Sequence, residues 1–166
     1  EFIPVFERNG FIVNIDFYVF EEVCKKIREW MDEGQKVVPI SVNLSRMHFV
    51  NSNFIEKFKL IVDKYKIPTR LIELELTETA VLDNIEGLLD TMNNLKEKGF
   101  VISMDDFGTG YSSLNLLKEL PVDILKLDRA FFTEKDESNN EKIVISNVIK
   151  MAKELKMKVI SEGVET

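Results

Sequence analysis

The sequence predicts an α/β fold, and within that class a (β/α)8 barrel of which about five strand-helix units lie in these 166 residues. Helical and strand patterns alternate along the chain, the order that builds a mainly parallel sheet. Polar residues (Asn43, Glu75, Asp105, Asp106, Lys126, Asp128 and Glu162) fall at or near the C-terminal ends of five successive strands. An open doubly wound sheet gathers its ligands at one switch point, whereas a barrel points every strand end into one shared mouth. A complete barrel takes about 250 residues. The expectation is therefore an incomplete barrel with an unclosed edge.

Each element has its own warrant. Asp16 to Met31 places Phe17, Phe20, Cys24, Ile27 and Met31 at helical spacing, and Gly34 ends that helix. Val37 to Leu44 reads as a strand with Asn43 near its end. Asn53, with Glu56 three residues on, caps a helix running to Tyr65. Ile72 to Thr77 is a strand with Glu73 and Glu75 on one face and Leu74 and Leu76 on the other. Asp83 and Glu86 open a helix that turns Leu88, Met92 and Leu95 inward, and Gly99 closes it. Phe100 to Met104 is an apolar strand, followed by a short helix from Ser112 to Glu119 that stops before Pro121. Ile124 to Asp128 is the next strand, and Thr133 to Asn140 a solvated loop. Ser138 and Glu141 form a capping box for a helix whose core stripe is Ile145, Val148, Ile149, Ala152 and Leu155. Lys158 to Ser161 is the last strand and delivers Glu162 and Gly163.

Composition narrows the function. With 22 basic and 29 acidic residues, the net charge of −7 argues against a nucleic-acid polymer as partner. An anionic ligand would need bound cations or a local positive group. Cys24 is the only cysteine, which rules out an intrachain disulfide and a multi-cysteine zinc site, and its apolar helix face makes it a core residue. No run is long enough to span a membrane and there is no signal peptide, so a soluble, reducing setting is expected. Because the chain opens at Glu1, it reads as an excerpt from a longer polypeptide.

The chemistry centres on Asp105 and Asp106. Neighbouring side chains on a strand point to opposite sides unless the backbone turns, and Gly108 and Gly110 permit a turn through positive φ. Alone, the pair would fit a helix cap plus a solvated neighbour. Set among one amide oxygen, other carboxylates and a lysine, it suits hard divalent cations, Mg²⁺ or Mn²⁺, handling a phosphate. Two such ions lower the barrier to phosphodiester hydrolysis by activating water and stabilising the leaving oxygen. Lys126 interrupts an apolar strand, so it needs a partner or a task. It pairs with Asp128 or a neighbouring carboxylate, or it holds a phosphate oxygen or the attacking water.

Five strings carry a family resemblance: Val42-Asn43-Leu44-Ser45, Glu75-Leu76-Thr77-Glu78, Asp105 through Leu114, Leu125-Lys126-Leu127-Asp128, and Glu162 through Thr166. In this order and at this spacing the chain resembles the EAL-type cyclic diguanylate phosphodiesterases, over residues 1–166. Glu1-Phe2-Ile3-Pro4 is similar to the stretch just after that family's signature. The resemblance implies a modified TIM barrel with one strand opposed to the rest, and hydrolysis of cyclic di-GMP to the linear dinucleotide. It implies two Mg²⁺ or Mn²⁺ ions on Asn43, Glu75, Asp105 and Asp106, with Asp105 bridging. Lys126 would orient water or phosphate, and Glu162 would serve the metal or proton transfer. Asp128 would support the second metal or Lys126, and Glu78 would steady the loop from Phe107 to Ser113. A homodimer, upstream sensory or GGDEF domains, and a cytoplasmic location (free or as part of a membrane-anchored protein) follow from the same resemblance.

The family's signature glutamate is expected before Glu1, and its final strand after Thr166. The ligand set within these residues is then one carboxylate short. His48 stands where the family commonly has glutamine and Ser161 where it has alanine; His48 is expected at the surface or behind the ligands, not as a ligand. Two other functions share the barrel. A regulatory module would bind cyclic di-GMP without cleaving it, and an enolising barrel would use carboxylates with a lysine base.

Overall fold

In the computed structural model, residues 2–50, 53–77, 85–108, 114–129 and 139–163 are described. Five strands form one parallel sheet in the order of the chain: β1 (Ile40–Asn43), β2 (Ile72–Thr77), β3 (Val101–Phe107), β4 (Ile124–Leu127) and β5 (Lys158–Ser161). Helices α1 (Ile3–Arg8), α2 (Ile12–Asp32), α3 (Phe54–Tyr65), α4 (Ile85–Glu97), α5 (Leu114–Glu119) and α6 (Asn139–Glu154) accompany them. Parallel neighbours joined through helices give the α/β order the sequence predicts. All five strand C-termini lie at one end of the sheet.

One sheet face is a hydrocarbon wall. Leu74, Leu76, Ile102, Met104, Leu125 and Leu127 are buried there and join Phe20, Cys24, Ile27 and Phe58 from α2 and α3 in a single core. The Phe20 and Phe58 rings stack at 3.9 Å, nearly parallel. Burial pushes the Cys24 thiol up to about 12, so it behaves as a small apolar side chain. The other face carries the alternating set Asn43, Glu73, Glu75, Ser103 and Lys126. Glu73 and Glu75 are buried too, at 6 % and 7 % exposure.

Several boundaries differ from expectation, each for a local reason. α2 begins at Ile12 because Ile12 and Asp16 both lie on its buried side, two turns and one turn before Phe20. α1, not foreseen, opens with Pro4 in its first turn, where a missing N–H costs nothing. β1 starts at Ile40, after Pro39, instead of at Val37. Asn53 has helical φ and ψ and makes no capping bond, so the predicted Asn53–Glu56 box does not form. α6 already includes Asn139 and Asn140, at the end of the expected loop. Leu155 leaves the core stripe. Lys156 turns left-handed at φ 63, and Met157 is buried in its place. The Asp83–Glu86 and Ser138–Glu141 caps, Ser112, and the loop from Thr133 to Ser138 fall outside the described residues.

Candidate active site at the strand ends

The sheet register assembles the site. Asn43 of β1 pairs with Glu75 of β2, and Thr77 of β2 with Asp105 of β3. Between β3 and β4 the ladder slips. Met104 pairs with Leu125 and Phe107 with Leu127, so Asp105 and Asp106 together oppose Lys126 alone. This is a β-bulge, two residues against one. Simple alternation would send Asp106 into the hydrocarbon wall and Phe107 out of it. With the bulge, Phe107 is 2 % exposed in the core while both carboxylates stay on the mouth side.

The predicted turn lies earlier than the glycines. Asp106 itself adopts φ 55, and Gly108 follows at φ 98. Left-handed backbone is uncommon outside glycine, but aspartate tolerates it better than most residues. Gly110 lies outside the described residues. The Asp106 N–H donates to Asp105 Oδ1 at 3.0 Å, which fixes the first carboxylate against the bulge.

Lys126 reaches across the mouth. Its ammonium pairs with Glu75 and lies 3.3 Å from Glu162 Oε1, so Lys126 has carboxylate partners on β2 and after β5. Burial alone would lower the Lys126 pKa, but Glu75, Glu162 and Asp105 together outweigh it and the net shift is upward. Burial also raises Asp105 and Asp106. Glu162 and Glu75 push both further up, and Asp128 adds to Asp106. Five carboxylates thus interact around one lysine, an excess of negative charge in a half-buried mouth.

That donor set tests what the mouth can hold. It is all oxygen, as Mg²⁺ and Mn²⁺ prefer, and its excess charge is what a divalent cation would neutralise. Among the described residues, no three His, Cys, Asp or Glu side chains already stand as a preformed metal cluster. Lys126 takes part of that neutralising role in the structure. Beside Asn43 and Glu75 opens a cleft of about 710 Å³, lined also by Asp16, Ser45, Arg46 and Thr77. Glu78 lies outside the described residues.

His48 is not at the surface. It is 1 % exposed, with Nε2 at 2.9 Å from Asp16 Oδ2. Asp16 is the residue that sequence reasoning placed at a helix start and did not connect to the site. The signal was present: a carboxylate at i, i+4 spacing between Ile12 and Phe20 lies on the buried stripe.

Comparison with known proteins agrees with this architecture. The family model described as "EAL domain" matches residues 1–166. Signaling protein YkoW of Bacillus subtilis (strain 168) is 36% identical over 165 residues, covering 99% of this chain and 20% of its own length. The bifunctional diguanylate cyclase/cyclic di-GMP phosphodiesterase MucR of Pseudomonas aeruginosa is 34% identical over 166 residues, with 100% and 24% covered. The solved structure of the PaMucR phosphodiesterase in complex with c-di-GMP superposes with a TM-score of 0.87 at 33% identity, over 99% of this chain and 72% of that one. The five-stranded sheet is thus part of a TIM-barrel-like domain. The chain spans 20% and 24% of the length of these two curated relatives.

Proposed function

The chain belongs to the EAL domain family, and on that premise we propose that its strand-end site hydrolyses one phosphodiester bond of cyclic di-GMP, giving the linear dinucleotide. The observation that carries the reading is the β3 bulge, which keeps two adjacent carboxylates on the mouth side opposite one lysine. The relative named as a cyclic di-GMP phosphodiesterase and the c-di-GMP complex of a similar fold support the substrate.

Asn43, Glu75, Asp105 and Asp106 would hold two Mg²⁺ or Mn²⁺ ions, with Asp105 shared between them. Such ions, when bound, polarise phosphoryl oxygens and make a water nucleophilic at neutral pH. Lys126, released from Glu75, offers three N–H donors to a phosphate oxygen or to the attacking water. Glu162, within 3.3 Å of the same ammonium, takes or returns the proton of that water or adds a ligand. Asp128, whose charge repels that of Asp106, would support the second ion or Lys126. Glu78 would steady the loop after β3. We also propose a homodimer, a cytoplasmic setting, and further sensory or diguanylate cyclase domains in the same polypeptide. The bifunctional name of the Pseudomonas relative supports the last of these.

The test is product identity. With Mn²⁺ or Mg²⁺ the protein should convert cyclic di-GMP to the linear dinucleotide, and EDTA should stop it. Nucleotide that is bound but recovered unchanged, on folded and metal-loaded protein, would contradict hydrolysis and point to a binding module.

A further inference from the structure

β1 is, with β5, one of the two edge strands that build the site. It has four residues and, among the described residues, pairs with β2 alone. Its last ladder contact is the Leu44 N–H donating to the Glu75 carbonyl at 2.9 Å. One residue further, the grip passes to α2. Asp16 Oδ2 accepts the Ser45 N–H at 3.1 Å and the His48 Nε2–H at 2.9 Å. A buried carboxylate is tolerated only when so paired.

The contacts close a ring. Ser45 opens the helical turn Arg46–Val50, its carbonyl accepting the His48 N–H at 3.1 Å and its Oγ the Met47 N–H at 3.3 Å. The turn brings the His48 ring back to the carboxylate that holds Ser45. Rings of Phe17, Phe54 and Phe58 surround the imidazole at 5.4, 5.0 and 5.8 Å. Among the described residues its Nδ1 has no hydrogen-bond partner, and Asp16 is the ring's polar anchor. Asp16 also lines the cleft shared by Asn43 and Glu75.

We infer that Asp16 and His48 are positioning residues for Asn43: the carboxylate, locked by the imidazole, sets where β1 leaves the sheet and so where the Asn43 amide meets Glu75. The inference rests on the metal-holding role proposed for Asn43. Groups behind a metal ligand commonly change affinity by about 10–100-fold when removed.

Mn²⁺ binding, followed by electron paramagnetic resonance without substrate, tests it. His48→Leu should weaken binding by about tenfold or more, while His48→Gln, which restores an N–H donor, should stay within about twofold of wild type. In an Asn43→Ala background His48→Leu should add nothing, because the ring acts through the amide already lost. Should His48→Leu not fold, Asp16→Asn makes the same comparison without a change of size. Unaltered binding in the folded variant, or full additivity with Asn43→Ala, would overturn the positioning role alone. Absence of Mn²⁺ binding in the wild type would overturn the metal reading and this inference with it.

Discussion

Asp106 combines two costs at one position, a left-handed backbone and a carboxylate among carboxylates. Its pKa is raised, first by burial and then by Asp128, Glu162 and Glu75. The folded state therefore takes up this proton more readily than the unfolded chain. The resulting penalty on stability is full at pH values above the raised pKa and fades as pH falls through it into the ordinary carboxylate range. Asp106→Asn keeps a residue that accepts positive φ and removes the charge. Without divalent cations at pH 7 it should melt higher than wild type, on the order of 2–4 °C, the equivalent of about 1 kcal/mol in a domain this size. The gain should shrink on acidification, and Mn²⁺ should favour the wild type instead. A lower melting point in EDTA would contradict the electrostatic account. The place of the aspartate pair at the C-terminal end of β3 was legible in the sequence. The bulge was not, because a register slip depends on Leu125 and Leu127 of another strand, and the positive φ falls on Asp106, two residues ahead of Gly108.

At the scale of elements, the end of the sheet away from the mouth has its own fastening. Asp123, at the start of β4, accepts the Ile102 N–H at 3.0 Å through Oδ2 and pairs with Lys96 of α4 through Oδ1. Its own N–H donates to the Ile102 carbonyl, and its carbonyl accepts the Lys158 N–H of β5. One residue thus ties β3, β4, β5 and α4 where no chemistry occurs. Asp123→Ala strands a backbone donor and should cost about 1–3 kcal/mol, read as a lower urea midpoint at unchanged slope. Turnover by the folded fraction should be kept. Lost turnover at full stability would place Asp123 in the site instead. Strong periodicity made β2, α3 and α4 readable within a residue or two. α1 was missed because its six residues carry no buried stripe. β1 was overextended because Val37 and Val38 are apolar but precede Pro39. Leu155 matched the helical period but falls beyond the last helical residue, where Lys156 reverses the chain.

For the whole molecule, the parallel order β1 to β5 converts a scattered set of polar residues into one mouth. That much followed from the sequence, since strand C-termini of a barrel share a face. How the residues meet there did not, because pairing of Lys126 with Glu75 and Glu162 depends on three strands at once. On the proposed function, the excess negative charge of this mouth would have to be offset by cations before an anionic nucleotide approached. The most direct measurement of the central claim is the rate of cyclic di-GMP cleavage in saturating Mn²⁺ by wild type and by Asp105→Asn. The account predicts linear dinucleotide from the wild type and a loss of about a hundredfold or more in the variant, with its fold intact. Equal rates from the two proteins would contradict it.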